Sequence, residues 1–358
     1  MTTPQDAFTP RAAGARRPTL EDVARLAGVS RAQVSLVVRG SARVSDASRE
    51  RVLSACREVG YRPNLHARTL AQTESGILGV LVSDLHNPFF AEVVDGLQEG
   101  VRPAGKQLVM ASGGRSPEVE REALEMLLSL HPTGVVVLGS VLADADLEEL
   151  LGRGLPVPVV SVTRVVGSAL VDSVSIDEAA GAELAVAHLA ELGHRRITHL
   201  DGAGGAGAAD RAAGYRAAMR RHGLQDRAEV CPGGFTEAAG AAAAEELLHR
   251  CGEDLPTALF VANDIAAVGV LSRLAEAGVE VPGRVSVVGF DDSWVAGSRF
   301  TALTTVRQPK LRMGLLAVAA VLERAAGRRE PSRTVVEPEL VVRSTTAPPA
   351  RVGRGGQG

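Results

Sequence analysis

The sequence predicts an all-α helix-turn-helix head with a hinge helix, followed by an α/β region of two parallel-sheet lobes. Three observations predict it. A two-helix pattern with a three-residue turn starts at Thr19, the basic charge gathers around it, and from Gly76 short β-branched runs alternate with helical stretches through two similar units. Alternation of that kind argues for parallel sheets with helices on both faces.

In the first predicted helix, Thr19 has an acid three places on, Asp22, which is an N-cap signature. Leu20, Val23, Ala24 and Ala27 recur at helical spacing, and Gly28 stands where positive φ would stop the helix. Ser30 is the next cap candidate, with Gln33 at the capping-box position, and Val34, Val37 and Val38 give the second helix one apolar face. Only Gly28-Val29-Ser30 separates the two, so they pack steeply, as in a helix-turn-helix whose second helix enters the DNA major groove. A third helix, Ser45 to Val59, ends at Gly60 and offers Val52, Leu53, Cys56 and Val59 to a small core. A helical hairpin of no special purpose would share this pattern, and charge favours DNA. Residues 16–75 hold eleven arginines against six acids, a surplus of five, which leaves −8 for the rest of a chain whose net charge is −3.

Pro63 breaks the third helix, and Asn64 to Leu70 is a short helical candidate, marginal by itself. Beyond Gly76 come the apolar run Ile77–Ser83, a helix over Phe89–Val101, strands at Gln107–Ser112, Gly134–Gly139 and Val157–Val162, and helices at Glu118–Leu130 and Asp144–Leu151. A second set follows SVSID at Ser173–Asp177. Its helices are Glu178–Leu192, Arg211–His222, Thr236–Arg250 and Ile265–Ala277, and its strands Arg196–Gly202, Ala258–Asn263 and Val285–Asp291. Two such units facing one cleft make a hinged small-molecule clamp, with ligands beyond the carboxyl ends of the strands.

The length of 358 residues suits two or three domains. No run of about 18 apolar residues occurs, so no membrane span is expected. The first fifteen residues lack an apolar signal core and read as a disordered tail. Cys56, Cys231 and Cys251 form neither an even disulfide set nor a zinc spacing, which fits a cytoplasmic protein without metal or cofactor.

Strand ends bring Asp84, Asn263 and Asp291 toward the cleft, and the glycine-rich loop 202–207 leads to Arg211. Phe89, Phe90, Phe235 and Trp294 lie on nearby loops or helix starts of a chain only 3% aromatic. Hydrogen-bonding side chains among flat apolar ones suit a polyhydroxylated or ring-shaped ligand. Plainer roles exist for each: Asn263 and Asp291 as caps, Phe89 as core, Arg211 as a solvated helix start, the glycines as a phosphate cradle. HExxH and GxSxG are missing, GxxxxGK[ST] does not occur, and His188, His194 and His199 sit in or beside helix and strand patterns, so no catalytic residue is assigned.

The chain resembles the LacI/GalR family of bacterial transcription regulators almost from end to end. The resemblance is carried by TLEDVARLAGVS, RVSDASRERVLSACREVGYRPN, the linker's Ala67, Arg68 and Leu70, and NPFFAEVVDGLQEG. It continues through GAELAVAHLAELGHRRI, FVANDIAAVGVL, VSVVGFDD, TTVRQP and ELVVRST. It implies a head at 16–62, a hinge at 63–75 and a two-lobed, periplasmic-binding-protein-like effector domain at 76–346, with a disordered tail at 347–358. The lobes would be discontinuous: about 76–176 plus 307–332, and about 177–306 plus 333–346. It further implies a homodimer on near-palindromic operator DNA, with a small molecule, sugar-like in kind, acting through the hinge by a coupling of about 1–3 kcal/mol. DNA contacts would fall on Thr19, Ser30, Arg31, Ala32, Gln33, Ser35, Leu36 and Arg39, on Tyr61, and on Asn64, Ala67, Arg68 and Leu70. Leu70 would wedge into the minor groove. Effector contacts would fall on Phe89 or Phe90, Arg211, Phe235, Asn263 and Asp291, with Asp84 added from its strand end.

Two departures stand out. Many members carry Arg where this chain has Leu36, which offers only apolar contact, and many carry Asp-Arg where this chain has Thr163-Arg164. No leucine heptad follows Val342, so a tetramer-forming coiled coil is not expected. Rival readings are a solute-binding protein of a sugar transporter, a regulator answering to a nucleobase or corepressor, and an enzyme on a doubly wound sheet. The basic head speaks against the first, and the lack of catalytic geometry against the last.

Overall fold

The computed structural model describes residues 18–38, 43–61, 76–152 and 157–350, and the chain divides into a unit up to Ser75 and a larger one from Gly76. Arg39, the hinge residues Asn64, Ala67, Arg68 and Leu70, and the expected tail 1–15 lie outside the described residues.

In the head, α1 spans Leu20–Ala27, α2 Arg31–Val38 and α3 Asp46–Val59. Thr19 and Asp22 close a reciprocal capping box: Thr19 N–H donates to Asp22 Oδ2 at 2.9 Å, and Asp22 N–H donates to Thr19 Oγ1 at 3.4 Å. Gly28 ends α1 in the left-handed region at φ 65°. Ser30 Oγ accepts from Gln33 N–H at 3.2 Å and so opens α2. Val23, Val34 and Val52 are fully buried where the helices meet, with Ala24, Ala27, Val37, Val44, Ala55 and Cys56 around them. The apolar face predicted for α3 needs one correction: Leu53 is 42% exposed, and Ala55 takes the core position. On a 3.6-residue period, Val52, Ala55, Cys56 and Val59 share a face that Leu53 leaves.

The larger unit holds two six-stranded sheets. In the first, β1 (Ile77–Val82), β2 (Gln107–Ser112), β3 (Gly134–Leu138), β4 (Val159–Val162), β5 (Val171–Ile176) and β11 (Arg333–Val336) lie in the order β11-β5-β4-β3-β1-β2, all parallel. In the second, β6 (Ile197–Leu200), β7 (Glu229–Cys231), β8 (Ala258–Val261), β9 (Ser286–Asp291), β10 (Thr304–Arg307) and β12 (Glu339–Val341) lie in the order β12-β10-β9-β8-β6-β7. Only the pairing of β12 with β10 is antiparallel. Inner strands such as β1, β3 and β9 are buried at every residue, hence their unbroken apolar runs. Helices cover the faces: α4 (Pro88–Val101), α5 (Pro117–Ser129), α6 (Asp144–Gly152) and α11 (Lys310–Ala325) belong with the first sheet, and α7 (Glu178–Glu191), α8 (Ala208–Arg221), α9 (Glu237–Cys251) and α10 (Asp264–Glu276) with the second.

The chain crosses between sheets after β5, after β10 and after β11. That moves one expected boundary. Arg333–Val336 pairs with Ser173–Ile176, so the first lobe keeps the chain to Val336, not 332. Ala347, expected as the first residue of a disordered tail, is ordered. The Ala347 carbonyl accepts from Ser286 Oγ at 3.1 Å and lies 2.9 Å from His194 Nε2, which docks it on the second lobe. Among the described residues no helix is long and apolar enough to cross a membrane.

Candidate functional site: an effector cleft and a DNA-facing helix

The carboxyl ends of both sheets face one cleft of about 910 Å³, its open mouth included. All seven predicted effector residues line it: Asp84, Phe89, Phe90, Arg211, Phe235, Asn263 and Asp291. Trp294 does not. Its side chain is 67% exposed, and its backbone N–H donates to Glu92 Oε1 at 3.0 Å.

On the first-lobe side, Asn87 caps α4 by accepting from Phe89 N–H at 3.0 Å. Pro88 then starts the helix at the position where a missing N–H costs nothing. This entry delivers Phe89 and Phe90, which meet edge to face with centroids 5.2 Å apart. Both are largely buried, so Phe89 is core and cleft wall at once. A Cβ at Gly139 would overlap the Phe90 ring. Thr163 sits at φ 93°, an uncommon conformation for a β-branched residue, and its buried Oγ1 has no hydrogen-bond partner. Arg164 turns away from the cleft to Asp144 at 2.5 Å and to the Leu142 carbonyl.

On the second-lobe side, Arg211 is buried rather than solvated. Its Nε meets Glu178 Oε2 at 2.8 Å, its Nη2 meets Glu178 Oε1 at 3.1 Å, and Nη1 donates to the Ala262 carbonyl. The guanidinium lies 3.6 Å from the Phe290 ring centroid and 5.8 Å from that of Phe235. Burial raises the Glu178 carboxyl above its ordinary range, and Arg211 opposes the shift. Phe235 lies so close over Gly202 and Gly205 that neither could carry a Cβ without displacing it. Asn263 serves both roles raised for it: Oδ1 caps α10 through Ala266 N–H at 3.0 Å, while the residue lines the cleft.

Asp291 ends β9 at φ 114° and is followed by Asp292 at φ 50°. Its carboxylate accepts from Gln308 Nε2 at 2.7 Å, and its carbonyl accepts from Lys310 Nζ at 2.7 Å. Burial first, then the neighbouring Asp264, pushes the Asp291 carboxyl well up. Asp264 is itself raised by burial to about 7 while accepting from Thr305 Oγ1 at 2.6 Å and from Ser293 N–H at 2.7 Å.

His188, His194 and His199 have structural roles. His199 stacks on Phe260 with centroids 4.7 Å apart, and burial lowers its pKa to about 4. His194 bonds to Thr257, Ser286 and Ala347, and His188 to Thr346. Among the described residues no group of three or more His, Cys, Asp or Glu converges as a metal site.

Sequence reasoning missed Glu178, Gln308 and Arg115 as cleft residues. The signal was there for the first two. Glu178 follows the cap Asp177 directly after a strand, and Gln308 follows β10 as Asn263 follows β8. Arg115 depends on a positive φ of 60° on the turn after β2, which no residue pattern announces.

On the head, Ser30, Arg31 and Ala32 are exposed at the start of α2, while Gln33 and Ser35 are half-buried. Leu36 and Tyr61 are half-buried against the head's apolar core, which limits what either can present outward. Thr19 Oγ1 is engaged with Asp22 Oδ2 at 2.7 Å.

A helix-turn-helix head joined to a two-sheet effector clamp defines a ligand-responsive, DNA-binding transcription regulator. Residues 19–64 match the bacterial regulatory proteins of the lacI family, and residues 186–346 match the periplasmic binding protein-like domain. The HTH-type transcriptional regulator GalR of Escherichia coli (strain K12) is 36% identical over 336 residues, covering 93% of this chain and 96% of that one. A lac repressor dimer bound to operator and the anti-inducer ONPF superposes with a TM-score of 0.80 at 30% identity, covering 93% of this chain and all of that one. A complex of the regulator CelR with cellobiose gives a TM-score of 0.68 at 36% identity, covering 92% of this chain and all of that one. The chain belongs to the LacI family of bacterial transcription regulators.

Proposed function

We propose that this regulator is a cytoplasmic homodimeric repressor of carbohydrate uptake or catabolism genes, with a neutral sugar in the cleft as its effector. One observation carries the reading. The buried cation of the cleft, Arg211, is already committed to Glu178 and the Ala262 carbonyl, while Asp291 and Asn263 present hydrogen-bonding groups beside the flat wall of Phe235. A phosphate or carboxylate would compete with Glu178 for that guanidinium, whereas hydroxyls need only the remaining donors and acceptors. The cleft's size lies in the range of small-molecule sites. The CelR–cellobiose complex and the name GalR support the same class of ligand.

The test is a thermal-shift screen of the full chain against mono- and disaccharides, followed by retardation of its own upstream DNA with and without the hits. A bound ligand raises the melting temperature by mass action. If no sugar shifts the melt, or if the hits leave retardation unchanged, the reading is wrong. DNA reading is assigned to Ser30, Arg31, Ala32 and Gln33, with Ser35, Leu36, Thr19, Tyr61 and Arg39 supporting, and Asn64, Ala67 and Arg68 in the hinge. Leu70→Ala is expected to weaken operator binding tenfold or more while sparing non-specific DNA; equal loss on both would remove the wedge role.

A further inference from the structure

The second crossing between the lobes grips one cleft residue twice. Gln308 holds the Asp291 carboxylate, and two residues on Lys310, the first residue of α11, reaches the main chain of the same aspartate. Its buried Nζ donates to the Asp291 carbonyl at 2.7 Å and to the Asp292 carbonyl at 2.5 Å, and it lies 3.3 Å from Glu92 Oε2 on α4. An ammonium carries three donors, and each has an acceptor here. Glu92 has a second task, since its Oε1 accepts the Trp294 N–H at 3.0 Å.

These bonds run between the lobes. Lys310 and Glu92 stand on the first. A Cβ at Gly96 of α4 or at Gly314 of α11 would run into the other helix's backbone, so the two helices sit main chain to main chain as one platform. Asp291, Asp292 and Trp294 belong to the second lobe, where the Asp292 carboxylate is tied by Arg307 Nε at 2.7 Å and Arg343 Nη2 at 2.6 Å. With φ of 114° and 50°, Asp291 and Asp292 are consecutive left-handed residues that carry side chains. Such a corner persists only where surrounding bonds impose it. Asp291, turned this way, lines the cleft, and Lys310 stands outside that lining.

We propose that Lys310, backed by Glu92, is the positioning residue that couples the effector cleft to the pose of the first lobe. This rests on the cleft being the effector site and holds whatever the effector is. In the pose seen here Lys310 keeps the Asp291–Asp292 corner in its left-handed form and so aims the Asp291 carboxylate. Rotation of the first lobe withdraws the ammonium and Glu92 together, and the corner loses its bonds across the lobes. An effector that needs Asp291 aimed therefore favours the pose in which Lys310 is docked. The two poses then differ in effector affinity through a residue outside the cleft lining, and a ligand shifts their balance by that difference.

Two measurements on the full-length protein decide it, and neither uses a sugar, so failure of the sugar reading leaves both readable. Hydrogen exchange read by mass spectrometry follows the peptide Phe290–Val295, and retardation of the chain's own upstream DNA without effector follows the pose of the lobes. Lys310→Met is expected to speed exchange at the corner by about tenfold and to leave β3 at the wild-type rate. It should change effector-free operator affinity by about tenfold, and Glu92→Gln by about threefold in the same direction, with unrelated DNA bound as before. Arg312→Met removes an exposed cation from the same turn of α11 and should leave both readings unchanged. A lower melting temperature with wild-type operator affinity would make Lys310 a structural pin only and overturn the coupling. Unchanged exchange at the corner, shifts of opposite direction in Lys310→Met and Glu92→Gln, or an equal shift in Arg312→Met would overturn it as well.

Discussion

On the second-lobe side of the cleft the polar side chains are strapped in place: Arg211 to Glu178, Asp291 to Gln308, Asn263 to the first turn of α10. The first-lobe side lines the cleft with the rings of Phe89 and Phe90, with Asp84 and Arg115, and with a Thr163 hydroxyl that has no partner. Groups already oriented lose little freedom when a ligand arrives, so the second lobe is suited to fix its pose. Rings and an unpaired hydroxyl are suited to judge its shape and its far end.

Changes on the strapped side should therefore disturb fold and binding together. Arg211→Met leaves the Glu178 carboxylate buried without its cation, and should cost about 3–5 kcal/mol in urea unfolding. Adding Glu178→Gln should recover most of that. A single variant as stable as wild type would mean that Glu178 is protonated at neutral pH, in line with its raised pKa.

Next in size is a pH effect from the buried acids. An unfolded aspartate titrates near 3.9, whereas Asp264 in the fold titrates at about 7. Between those values the folded chain holds a proton that the unfolded chain lacks. The contribution to stability is complete below pH 4 and is lost as pH rises through 7, at up to about 1.4 kcal/mol per pH unit. Asp291, raised in the same direction, adds to the trend, while Lys310 and Arg211 oppose it. Unfolding measured from pH 5 to pH 8 should show the decline, and Asp264→Asn should flatten it; an identical slope in the variant would refute the assignment.

Asn263 separates cap from contact. Asn263→Ala should lose about 1 kcal/mol of stability with the cap, and about tenfold in effector affinity. Asn263→Ser keeps a capping oxygen and so should restore stability without restoring affinity. Recovery of both would reduce Asn263 to a cap. The smallest effect belongs to the other wall. Thr163→Val removes a hydroxyl that bonds to nothing, so stability should change by less than about 0.5 kcal/mol. A loss of about threefold in affinity would show that the first lobe reads a ligand hydroxyl there; an unchanged affinity would remove Thr163 from ligand reading.

The parallel strands and their helices were legible because β-branched runs such as Ile77–Val82 have no exposed face to break them. Edge elements were not. The short β7, β11 and β12 are partly exposed, and the pairing that places β11 in the first sheet is a contact between residues 160 apart, as with Arg333 and Ser173. The cleft was legible where a side chain follows a recognisable strand end, as with Asp84, Asn263 and Asp291. Trp294 failed because its neighbour Ser293 is drawn inward to Asp264, while its own indole stays outside. That Leu36 packs partly on the head's core was not legible, because α2 is only eight residues long and uses part of that face to close the core.

The three crossings between sheets join the β11/β5 edge of one to the β12/β10 edge of the other. Two of them carry cleft side chains, Glu178 just after the first and Gln308 on the second. In mechanical terms the cleft reaches back to the fulcrum and is not confined to the tips of the jaws. A small displacement at Glu178 or Gln308 is multiplied at the free edges, β2 and β7, in the ratio of their distances from that axis.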